Sequence, residues 1–79
     1  IGLNDPAMLD SGVEKLRKIA LNLKTSDFRR FSATKTISDI RTALSEKGQS
    51  EKAAALEKIL SEIKANETDP TLKKYYEGF

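Results

Sequence analysis

The chain of 79 residues contains no cysteine, no histidine and no tryptophan. Without cysteine there is no disulfide and no thiolate nucleophile. Without either cysteine or histidine, zinc and iron–sulfur sites lose their usual ligands, and a serine nucleophile loses its usual base. Only four glycines are present, two of them next to the ends (Gly2 and Gly78), so no glycine-rich loop is available to cradle a nucleotide phosphate. Apolar runs are short, far below the length needed to cross a bilayer. The head, Ile1 to Ala7, has no basic stretch followed by an apolar one and so does not read as a signal peptide. No acidic loop of calcium-binding spacing occurs, and the acids sit mostly at helix starts or beside lysines. These absences point to a non-enzyme with no cofactor and no metal, placed in the cytoplasm and not at a membrane.

What the chain does have is unevenly placed charge. Between Lys15 and Lys35 there are seven basic side chains (Lys15, Arg17, Lys18, Lys24, Arg29, Arg30 and Lys35) against the single acid Asp27, an excess of +6. The head before it carries three acids, and residues 36–79 carry seven bases and eight acids, so the whole-chain figure is only +2. A local cationic excess attracts a polyanion, because each neutralised phosphate releases condensed counterions. The expected partner is therefore nucleic acid, DNA ahead of RNA, with these seven residues as candidate contacts and Arg29, Arg30 and Lys35 at their centre.

Helix signals dominate the pattern. Ser11-Gly12-Val13-Glu14 has capping-box spacing, and Val13, Leu16, Ile19, Ala20 and Leu23 recur at helical intervals, predicting a helix over about 12–24. Asp5-Pro6 offers an earlier start. Thr25 or Ser26 caps a short helix holding Phe28 and Phe31. Thr34 or Thr36 caps the next, with Ile37, Ile40, Ala43 and Leu44 as its stripe and Gly48 as its terminator. Ser50 caps the strongest helix, over about 51–65 with its stripe from Ala53 to Ile63, and Asp69-Pro70 starts a terminal helix whose Leu72, Tyr75, Tyr76 and Phe79 close one end of the core. No strand alternation is present. The expected fold is all-α: a small bundle of three main helices plus short helices around Phe28–Phe31 and Leu72–Tyr76. Residues 11–79 form its single domain and residues 1–10 a disordered head.

Within this outline, residues 26–44 read as short helix, tight connection and second helix, the outline of a helix-turn-helix. Any small bundle also contains such a pair, and the glycine expected in the turn is missing from Ser32-Ala33-Thr34-Lys35. Phe28 and Phe31 lie three apart among arginines. They suit either a stacking platform for unpaired bases or, the stronger expectation, core anchors. On the first helix Lys15 and Lys18 share one flank of the apolar face and Arg17 and Lys24 the other, which also suits aliphatic stems covering that face.

The stretch DFRRFSATKTISDIRTAL from Asp27 to Leu44 and the helix AAALEKILSEIK from Ala53 resemble the small helical proteins associated with the T-even phage recombination helicase UvsW. The resemblance implies an accessory domain that works beside a helicase acting on branched DNA and RNA–DNA hybrids in recombination and replication, in the host cytoplasm. The motor motifs would lie on the other polypeptide, and no site residue carries over from it. The rival expectation is a protein–protein module that docks its basic surface on an acidic partner.

Overall fold

The computed structural model describes residues 6–79, with side chains from Ser11 onward. Four helices follow one another: α1 (Pro6–Leu21), α2 (Asp27–Glu46), α3 (Ser50–Asn66) and α4 (Pro70–Tyr76). The all-α bundle of three main helices with a short terminal one is as expected, and no strand occurs among the described residues. Helix α2 is the axis. At 1.5 Å per residue its 20 residues are about 30 Å long, close to the 34 Å longest extent of the molecule. Helices α1 and α3 both pack along it.

Several boundaries differ from expectation. Helix α1 begins at Pro6, so the Ser11–Glu14 box lies inside the helix and the head over 6–10 belongs to α1; residues 1–5 lie outside the described residues. Its end comes at Leu21 and not at Lys24. There the Asn22 side chain accepts from the Lys24 backbone N–H at 3.0 Å and the Asn22 carbonyl from Thr25 N–H at 2.9 Å, so the chain turns. Short polar side chains compete with the helix in this way.

The largest correction is that the separate short helix around Phe28–Phe31 and the turn after it do not form. Residues 27–46 are one continuous helix, which removes the helix-turn-helix outline. The two threonines expected to cap a second helix instead bond backwards within it: Thr34 Oγ1 donates to the Arg30 carbonyl at 2.9 Å and Thr36 Oγ1 to the Ser32 carbonyl at 2.8 Å. The start of α2 is capped by Ser26, whose hydroxyl accepts from Arg29 N–H at 3.3 Å. Its end is a Schellman motif. Gly48 takes φ +78°, its N–H donates to the Ser45 carbonyl at 3.0 Å, and Gln49 N–H reaches back to the Leu44 carbonyl at 2.9 Å. Ser50, expected as a cap, is the first residue of α3 behind Gln49. Asp69 caps α4 as predicted, accepting from the Thr71 and Leu72 N–H groups.

The core gathers one stripe from each helix: Val13 and Ala20, then Ala33, Ile37 and Leu44, then Ala53, Leu56, Leu60 and Ile63, closed at one end by Leu72 and Tyr76. Phe31 and Phe79 pack at its edge, with Tyr76 and Phe79 stacked at 5.7 Å. The Tyr76 hydroxyl is fully buried and has no well-formed hydrogen bond among the described residues, although the Thr34 hydroxyl, which donates to the Arg30 carbonyl, lies near it. Burial is the main cause pushing the Tyr76 phenol up, and Thr34 offsets only part of it.

Candidate nucleic-acid interface

The seven candidate cations separate into two groups. Arg30 turns inward. Its Nε and Nη2 donate to the two carboxylate oxygens of Glu67 at 3.1 and 3.2 Å, and its Nη1 donates to the Leu23 carbonyl at 3.1 Å and to that of Thr25. The side chains of this pair are 8% and 0% exposed. Glu67 Oε2 also accepts from the Thr68 and Asp69 N–H groups, each at 3.0 Å. Four of the five guanidinium N–H donors and both carboxylate oxygens are thus engaged internally, and such dense bonding is the condition for an ion pair to be tolerated in a core. Arg30 ties the α1–α2 loop, α2 and the α3–α4 connection together. It cannot reach a ligand, so the expectation that it is a central phosphate contact does not survive.

Arg17 and Lys35 are also occupied. Arg17 donates from Nε and Nη2 to Glu62 of α3 at 2.7 and 3.0 Å, and from Nη1 to Glu14 at 3.3 Å. The hydrogen bond to Arg17 holds the Glu62 carboxyl below the usual carboxylate range, and the same bond raises the Arg17 guanidinium. Glu62 therefore turns to α1, not to Lys58 one turn away on its own helix. Lys35 Nζ meets Asp39 at 3.0 Å on the outer face of α2. Both ends of that pair are more than half exposed, so it is a weak, solvated contact that leaves Lys35 available.

Lys15, Lys18, Lys24 and Arg29 remain exposed and have no carboxylate partner among the described residues. Lys24 stands in the α1–α2 loop and Arg29 in the first turn of α2. Lys15 is one helical turn from Ile19, while Lys18 lies further round α1. Arg29 borders a shallow groove between α1 and α2 of about 250 Å³, lined by Leu16, Ile19, Phe28, Ser32, Ala33 and Thr36. The unpaired part of that charge thus lies on α1, the α1–α2 loop and the first turn of α2.

Phe28 corrects the core expectation. It is 73% exposed, at the edge of that groove. Its partner in sequence, Phe31, is half-buried against Tyr75 and Phe79, with ring centroids 5.5 and 5.8 Å away. Tyr75, expected to close the core, is 59% exposed instead. Among the described residues no cluster of three or more metal-type side chains occurs, and no helix is long and apolar enough to cross a membrane.

No protein-family model matches this chain, and neither the curated proteins nor the solved structures include one similar to it.

Proposed function

We propose that this domain is a small non-catalytic module that binds DNA through its phosphates and assists a larger cytoplasmic machine, with a helicase of recombination and replication as its partner. One observation carries the reading. Lys24 and Arg29 flank the start of α2, exposed and without a carboxylate partner among the described residues, beside the outward Phe28 and with Asp27 as the one acid between them, while Arg17, Arg30 and Lys35 of the same segment meet acids. A surface whose charge is left uncompensated next to an exposed ring suits a polyanion that also carries flat apolar groups. The helicase connection rests on the resemblance of residues 27–44 and 53–64 and on nothing else.

Four of the seven candidate cations, Lys15, Lys18, Lys24 and Arg29, have no carboxylate partner among the described residues and set the scale. If all four meet phosphates, log K falls against log salt with a slope of about −3 for single strands, at about −0.7 per phosphate. Fluorescence anisotropy with a labelled oligonucleotide at increasing salt measures it. The double variant K24A/R29A should weaken binding and flatten that slope by about one unit or more. Binding that ignores salt, or a double variant indistinguishable from the parent, refutes the reading.

A second reading has its own observation. Ile19 and Leu23 are 38% and 46% exposed beside the same cations, which suits an acidic protein surface with an apolar centre. Binding to a helicase partner that competing DNA leaves unchanged would favour it.

A further inference from the structure

Phe28 and Tyr75 are the two most exposed large apolar side chains among the described residues. They belong to different helices, yet both line one cleft of about 480 Å³, whose other walls are Asp27, Phe31, Thr71 and Leu72. Tyr75 is held in place by the edge of Phe31, with the two ring planes at 65°. Phe28 stands in the capped first turn of α2, where Asp27 Oδ1 accepts its backbone N–H at 2.7 Å. The two rings are therefore mounted on ordered backbone at the rim of an apolar slot.

We infer that this slot takes an unstacked base of single-stranded DNA, against the faces of Phe28 and Tyr75. The inference rests on the phosphate-binding reading and sharpens it to one class of DNA. Charge assigns the orientation. Arg29 lines the α1–α2 groove on the other flank of Phe28, and Lys24 and Lys74 are exposed near Phe28 and Tyr75 in the chain, with no carboxylate partner among the described residues. Asp27 is the one charge within the slot. A carboxylate there repels a phosphate but accepts a hydrogen bond from a base N–H, so the base enters the slot while the backbone stays outside it, on the Arg29 flank of Phe28. A duplex keeps its base faces stacked on one another and offers this slot nothing; every unpaired base has a free π-face.

The test compares oligothymidylate with an abasic chain of equal phosphate number, a duplex of equal length and the matching RNA, at one salt concentration. The parent should bind oligothymidylate most tightly. Losing a stacking contact weakens binding about five-fold or more, so F28A and F28L should each fall by that factor on oligothymidylate and stay unchanged on the abasic chain. F28W should retain binding. Phe28 is mostly exposed, so these variants should keep the parent's circular dichroism spectrum. F28L separates a ring face from mere apolar cover: if it binds like the parent, stacking is refuted. Abasic or duplex DNA bound as tightly as oligothymidylate also overturns the slot, and equal binding of the RNA overturns the commitment to DNA. If K24A/R29A weakens binding while F28A does not, the phosphate reading stands and the base slot falls. If the parent binds none of the four chains at low salt, both fall.

Discussion

Replacing Arg30 by alanine should come close to unfolding this domain. The change removes a guanidinium that satisfies both oxygens of Glu67 and the carbonyls of Leu23 and Thr25, and leaves a carboxylate with a fully buried side chain. Removing one partner of a buried ion pair costs about 3–5 kcal/mol, because the other charge stays desolvated and uncompensated. A chain of 79 residues has a total stability of about 4–12 kcal/mol, at about 0.05–0.15 per residue. The loss is therefore a large share of the whole. Urea unfolding followed by far-ultraviolet circular dichroism reads it. With a slope of about 1 kcal/mol per molar urea for a domain of this size, the midpoint should drop by roughly 3–5 M, or the folded baseline should vanish. Glu67→Leu should be comparably severe. The double variant Arg30→Met/Glu67→Leu should cost clearly less than the sum of its parts, since no buried charge is left alone. Each single change costing under about 1 kcal/mol, the level of a surface pair, would refute the reasoning. Strict additivity in the cycle would refute it equally.

Two further substitutions probe other features. Tyr76→Phe removes a buried hydroxyl that has no partner, so thermal unfolding at neutral pH should show it as stable as the parent or up to about 1 kcal/mol more so. Because burial raises the Tyr76 phenol, its contribution is fully present below the ordinary tyrosine value of about 10 and is lost as pH rises through the folded value; the parent should therefore lose stability above about pH 10 and Tyr76→Phe should lose less. Gly48→Ala should lower stability by about 1 kcal/mol in the same urea assay. A Cβ at Gly48 meets nothing within 4 Å, so the cost there comes from the positive φ alone; an unchanged midpoint would contradict that.

The parts of this fold that were legible in the sequence are those where a local signal has one meaning. Asp69-Pro70 starts a helix, Gly48 ends one, Ser26 caps one, and the stripes over Ile37–Leu44 and Ala53–Ile63 lie in the core. The misreadings come from signals with two meanings. Ser11 and Glu14 have the same spacing inside a helix as at its start, and an earlier start at Pro6 decides between them. Thr34 and Thr36 serve equally as caps or as hydroxyls bonded back to a carbonyl one turn earlier. What decides is that Ala33 and Ile37 are buried along one unbroken face.

The candidate site was less legible, because sequence displays charge but not its compensation. Glu67 lies 37 residues from Arg30, and Glu62 lies 45 from Arg17. One signal was available for Arg30: with Ala33, Thr34 and Ile37 it falls at helical spacing on the face that is buried. Phe28 falls outside that stripe, which was the clue to its exposure. Tyr75 had no comparable clue, since a helix of 7 residues is too short to show which side its rings take.

The joint between Arg30 and Glu67 has a geometric consequence. Phe28 lies two positions before one end of it, and α4, which carries Tyr75, begins three positions after the other. The gap between the two rings is therefore gauged by that crosspiece of guanidinium and carboxylate together with the Phe31–Tyr75 edge contact, not by continuity along the backbone. A lysine at position 30 would keep the charge but not the planar fork, and the two jaws of the slot would be left with the Phe31–Tyr75 contact as their one shared reference while the helices themselves stayed wound.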